Sequence, residues 1–89
     1  MMALRIVITG RVQGVGFRAA AQRMGTQLTL VGWVRNTPEG SVEMHAQGQA
    51  ENVERFVLWC HRGPTAAHVE DVSVETTQPD LGLLGFVRR

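Results

Sequence analysis

Apolar and polar residues alternate at the start of the chain. Leu4, Ile6 and Ile8 interleave with Arg5, Val7 and Thr9, a period of two that predicts a strand from Met1 to Gly10. The period then lengthens. Phe17, Ala20, Ala21, Met24 and Leu28 recur at spacings of three and four, so a helix from Phe17 to about Leu28 turns one stripe toward a core. Gly25 falls inside that pattern at a cost of about 1 kcal/mol relative to alanine, and marks either an early helix end or a close contact. Leu30 to Asn36 reads as a second strand, and Thr37-Pro38-Glu39-Gly40 as a turn. From Ser41 to Gln47, Val42, Met44 and Ala46 take one face while Glu43, His45 and Gln47 take the other. The two strands are expected to form a hairpin with one wet face, on which Glu39 and Glu43 are solvated.

A second helix is expected from about Glu51 to Arg62, with Val53, Phe56, Val57 and Cys60 buried. Glu51 and Glu54 near its start and Arg62 near its end suit the helix dipole, and Gly63-Pro64 closes it. Val69 to Thr76 reads as a fourth strand of uncertain register, in which Asp71 falls at a bulge or at the strand's start. Leu84 to Arg88 supplies a short fifth strand. The order is βαββαβ with a short C-terminal strand. Two one-striped helices and a one-sided sheet fit two layers, with both helices on one face of the sheet: an α/β (α+β), ferredoxin-like sandwich. That plan hosts many chemistries and names none.

Composition narrows the classes. The chain has 89 residues, 44% of them hydrophobic and 19% charged, enough for one domain over 1–89 with one modest core. Its net charge is +1, too small a footprint for a nucleic-acid surface, and without tyrosine it lacks aromatic-bearing RNA-binding motifs. Arg88 and Arg89 read as a solvated tail. Cys60, the only cysteine, is expected to be a buried, inert thiol, which suits a reducing compartment. No apolar run is long enough for a membrane span, and no signal-peptide pattern opens the chain. A monomer in the cytoplasm, binding neither nucleic acid nor membrane, is the expectation.

The candidate chemistry lies in Gly10-Arg11-Val12-Gln13-Gly14-Val15-Gly16-Phe17-Arg18, between the first strand and the first helix. Glycines there permit a tight loop whose N–H groups face one way, and the first turn of a helix favours an anion. Arg18 adds a planar, permanently charged fork for phosphate oxygens. The stretch therefore reads as a phosphate cradle over Gln13, Gly14, Val15, Gly16, Phe17 and Arg18, set against the plainer reading of a glycine-rich turn. It is neither a P-loop, since the chain contains no lysine, nor a dinucleotide fingerprint. His45, His61 and His68 fall on three different elements without metal-ligand spacing, so no metal site is expected.

Val12-Gln13-Gly14-Val15-Gly16-Phe17-Arg18 followed by Gly32-Trp33-Val34-Arg35-Asn36 resembles the paired motifs of the acylphosphatases, and Gly63-Pro64 and Phe86-Val87-Arg88 resemble two further elements of that family. The resemblance runs from about Ile6 to Arg88. It implies an enzyme that hydrolyses acyl phosphates to a carboxylate and inorganic phosphate, with no metal or organic cofactor and no covalent intermediate. By the same resemblance, Arg18 and the loop N–H groups grip the phosphoryl group and Asn36 positions the attacking water. Phosphoryl transfer asks chiefly for positioning and charge stabilisation, which suits such residues. The alternative is a non-catalytic module that binds phosphate or a phosphorylated partner in the same cradle. Trp33 is expected to pack, and Arg35 to be a surface charge. The chain departs from the family's usual pattern at Ala19-Ala20-Ala21, where bulkier residues are common, at Thr29, where glycine is common, and after Arg88, where an aromatic residue is usual. These departures bear on packing rather than on chemistry.

Overall fold

The computed structural model describes all residues from Met1 to Arg89. The elements are β1 (Met2–Arg11), α1 (Phe17–Gln27), β2 (Val31–Asn36), β3 (Val42–Gly48), α2 (Ala50–Arg62), β4 (His68–Thr76) and β5 (Phe86–Arg88). The sheet order is β4-β1-β3-β2-β5. Neighbours are antiparallel except β2 and β5, which are parallel. This is the expected ferredoxin-like sandwich, with the extra strand added at one edge.

The alternating residues meet in register across the three inner strands. Ile8 pairs with Val42 and Val42 with Asn36, while Ile6 pairs with Met44 and Met44 with Val34. Ile6, Ile8, Val34, Val42 and Met44 are fully buried in one cluster with Phe17, Val53, Phe56 and Cys60 from the helices. Because β3 runs opposite to both β1 and β2, the latter two run the same way, and so does β5. The C-terminal ends of all three strands therefore lie at one edge of the sheet, beside the start of α1.

Gly25 is a close contact rather than a helix end. A Cβ there would stand 2.8 Å from Cγ and Cε2 of Phe86. The helix continues to Gln27 and exits through Thr29, whose φ is +60°. The Leu30 N–H donates to the Gly25 carbonyl at 2.9 Å and the Thr29 N–H to the Thr26 carbonyl at 3.1 Å, the paired bonds of a left-handed helix exit. Threonine therefore occupies a conformation usually left to glycine.

The sequence reading of a wet sheet face is corrected. Glu43, His45 and Gln47 are all buried. Arg5 Nε and Arg35 Nη2 each reach a Glu43 oxygen at 2.6 Å, so Arg35 is half of an ion pair rather than a free surface charge. Burial pushes the Glu43 carboxyl up, but hydrogen bonds and charge from Arg5 and Arg35 outweigh it and hold the group below its ordinary value. His45 bonds to Gln47 at 2.7 Å and stacks on Trp33. Gln47 in turn exchanges hydrogen bonds with the main chain of Asp80, in the connection before β5. The bulge in β4 is at Glu70, because Thr9 pairs with Asp71 and Gly10 with Val69; Asp71 itself is in register. Cys60 is buried and free, and burial pushes its thiol far above the ordinary range.

Candidate active site

Between β1 and α1 the chain needs a left-handed turn twice. Gly14 has φ +75° and Gly16, the N-cap of α1, has φ +81°. No neighbour stands within 4 Å of where a Cβ would lie at either position, so these glycines serve the backbone angle and not a tight packing contact. The first helical N–H to find a partner is that of Ala20, which donates to the Gly16 carbonyl at 3.1 Å. From Gln13 through Ala19 no main-chain N–H donates to an oxygen of the protein. That run of donors, at the positive end of a helix dipole, suits an anion.

Phe17 fixes where the cradle sits. Its side chain is buried, with its ring centroid 5.4 Å from that of Trp59. A Cβ at Gly63 would come within 2.6 Å of the Phe17 ring, so the glycine that ends α2 leaves the space in which the start of α1 is anchored. Gln13 fixes the loop from the other side. Its Nε2 donates to the carbonyls of Thr37 at 2.8 Å and Ser41 at 2.9 Å, tying the cradle to the turn that follows Asn36. The Gln13 side chain is thus committed to bracing, and Val15 packs against the core.

Gly14, Gly16, Phe17 and Arg18 line one cleft of about 120 Å³, and Asn36 and Arg88 line it with them. One water needs roughly 10–15 Å³ on such a measure, so the cleft has room for a small oxyanion with water beside it. Asn36 stands at the end of β2, on the helix side of the sheet with Val34, and its amide makes no hydrogen bond to the rest of the chain. Arg18 Nη1 donates to the main-chain oxygen of Arg89 at 3.1 Å. No acidic residue lines the cleft, so its charge comes from arginine and main-chain dipoles alone. Of the residues singled out in sequence, Gly14, Gly16, Phe17, Arg18 and Asn36 come together here.

Arg88 is the residue whose place was not anticipated. Arg88 and Arg89 are exposed, but they are not a solvated tail. Arg88 pairs with Val34 and borders the cleft. The Arg89 N–H donates to the Val34 carbonyl at 2.8 Å, and its guanidinium lies 4.7 Å from the centre of the Trp33 ring. The Phe86-Val87-Arg88 motif carried the signal, since it reaches the cleft once Phe86 is buried. No three histidine, cysteine, aspartate or glutamate side chains gather into a group that could hold a metal, and no helix is long and apolar enough to cross a membrane.

A ferredoxin-like sandwich with a cationic cradle at the common end of β1, β2 and β5 defines a phosphate-handling α/β protein. The comparisons with known proteins make the assignment specific. The acylphosphatase family model matches residues 4–88. An acylphosphatase of Trichormus variabilis is 50% identical over 86 residues, covering 97% of this chain and 84% of that one. An acylphosphatase of Thermococcus kodakarensis is 48% identical over 79 residues, covering 89% and 86% of the two chains. The crystal structure of an acylphosphatase from Bacillus subtilis superposes with a TM-score of 0.95 at 36% identity, over 100% of this chain and 99% of that one. The chain belongs to the acylphosphatase family and is a hydrolase of that class, as its motifs implied.

Proposed function

We propose that the cleft hydrolyses acyl phosphates by direct attack of water on phosphorus, without a metal, an organic cofactor or a covalent intermediate. The supporting observation is that Arg18, Asn36 and the unpaired N–H run share one small cleft. The amides of residues 13 to 18 and the Arg18 guanidinium hold the phosphoryl oxygens, and their grip strengthens as charge gathers on the equatorial oxygens. The Asn36 carbonyl accepts a hydrogen bond from water and turns its lone pair toward phosphorus. The new bond joins the water oxygen to phosphorus. The bond from phosphorus to the acyl oxygen breaks, its electron pair leaves with the carboxylate, and the water protons pass to phosphate oxygens. A carboxylate is a good leaving group, so no acid needs to stand over it. In this reading residues 1–89 work as one monomeric domain. A cytoplasmic location suits its free buried thiol.

Hydrolysis of benzoyl phosphate in the presence of a chelator tests the reading. Wild type should turn over undiminished. Arg18→Ala should lose about 10²–10³-fold in kcat/KM, the cost of one transition-state donor, with little change in unfolding midpoint because Arg18 is exposed. Asn36→Ala should lose turnover while inorganic phosphate still binds. A folded wild type that binds phosphate and leaves benzoyl phosphate intact would replace the enzyme with a binding module. Near-normal turnover in folded Arg18→Ala would remove Arg18 from its role.

A further inference from the structure

The phosphate cleft does not end at the phosphate. Ala19 and Arg88 line it, and the same two residues line a second, shallower groove of about 460 Å³ whose remaining wall is Gln22, Arg23, Thr26 and Gln27. The groove runs along the solvent face of α1, opposite the buried stripe of Phe17, Ala20, Ala21 and Gly25. At the junction Ala19 presents only a methyl group, which leaves the way from the cleft open. The far wall is β5, held to α1 by the Gln22 Nε2 bond to the Phe86 carbonyl at 3.0 Å. On the helix wall, Thr26 Oγ1 donates to the Gln22 carbonyl at 2.8 Å, so its hydroxyl is already engaged.

The charges of the groove are uncommitted. The ion pairs of the molecule use Arg5, Arg35 and Arg55; Arg23 and Arg88 enter none. The sequence of α1 contains no acidic residue, and none lines the groove. Arg23 lies one helical turn beyond Ala19 and five residues beyond Arg18, roughly 7.5 Å along the axis at 1.5 Å per residue. The groove therefore adjoins the cleft that holds Arg18 and carries a free guanidinium further along the helix.

We propose that this groove is the acyl-group subsite, and that Arg23, with Arg88, selects acyl phosphates whose acyl part carries a second anionic group at its far end. The inference rests on the hydrolytic reading above and adds the substrate class to it. A carboxylate at the tail meets an arginine fork that is otherwise solvated; a neutral tail lies in the same groove without that contact. Because Arg23 is exposed, the preference is modest and screened by salt.

The test compares three rigid substrates: benzoyl phosphate, 4-carboxybenzoyl phosphate and the uncharged 4-carbamoylbenzoyl phosphate. Arg23→Gln should lower kcat/KM for the carboxylate about fivefold, the upper range for an exposed ion pair, and leave the carbamoyl and unsubstituted substrates unchanged. Arg23→Lys should keep most of the preference, and added salt should erode it in wild type. Equal effects of Arg23→Gln on the charged and neutral substrates, or no effect on either, would overturn the subsite. Failure of wild type to hydrolyse any of the three would instead overturn the hydrolytic reading beneath it.

Discussion

Gly25→Ala sets two effects of opposite sign against each other. At an open helical site the change removes a flexible residue and stabilises by about 1 kcal/mol. Gly25 is not open. The added methyl would overlap Cδ2 of Phe86 and stand 2.8 Å from Cγ and Cε2, so the ring must retreat by about 1 Å to regain an ordinary carbon contact. It has little room to do so. The Phe86 ring already lies 5.4 Å, centre to centre, from Phe56, and Phe86 is only 5% exposed. Overpacking a filled core costs about 1–3 kcal/mol. With the ring buried against Phe56, the upper part of that range is expected, and the net expectation is a loss of about 1–2 kcal/mol. For a domain of this size that is a drop of roughly 5–15 °C in Tm. The assay is urea unfolding followed by tryptophan fluorescence, with an unchanged slope as the sign that only stability has moved. Gly25→Ala combined with Phe86→Leu should cost less than the two changes summed, because the smaller side chain yields the space. Since Phe86 carries the strand that ends in Arg88 and Arg89, kcat/KM should fall as well. A single variant more stable than wild type by about 1 kcal/mol would show that the helix term decides and that the contact is soft.

Thr29 and Glu43 each carry a further expected outcome. Thr29→Gly should raise unfolding free energy by about 0.5–1 kcal/mol in urea titrations, since a β-branched residue at φ +60° carries about 1–2 kcal/mol of strain, partly offset by glycine's greater freedom when unfolded; a destabilised variant would mean that the threonine side chain holds the turn. Glu43 contributes stability that is fully present above its unfolded value and is lost as pH falls through its lowered folded value. Glu43→Gln should therefore cost about 1 kcal/mol at neutral pH, discounted because both arginine partners are half exposed. The gap between wild type and variant should narrow once pH falls below the ordinary carboxylate range and close as it passes below the lowered folded value of Glu43; a gap that stays constant with pH would mean that the charge of Glu43 plays no part.

What the sequence revealed and what it withheld follow a physical division. Elements and cradle were legible because they are local. A period of two or 3.6 is written in consecutive residues, and a glycine that must take positive φ is demanded by its own loop. The pairing of Arg18 with Asn36 was readable only through the paired motifs, because it depends on β1 and β2 running the same way with β3 between them. The mistaken wet face has the same origin. Glu43, His45 and Gln47 alternate as solvated residues would, and nothing within β3 says that this strand lies at the centre of the sheet. Once β1 and β2 flank it, Arg5 and Arg35 close over Glu43 from both sides, and the connection before β5 covers Gln47 through Asp80. A charged residue on a central strand is buried by its neighbours' long side chains rather than by apolar ones, and only strand order reveals which neighbours those are. Arg88 and Arg89 make the point at the chain's end. Two adjacent arginines look like a tail until the burial of Phe86 sets β5 beside β2, and that one parallel pairing delivers a cation to the cleft and a main-chain acceptor to Arg18. The cleft therefore depends on the packing of a ring against Gly25, far along the helix from the loop proposed to bind phosphate.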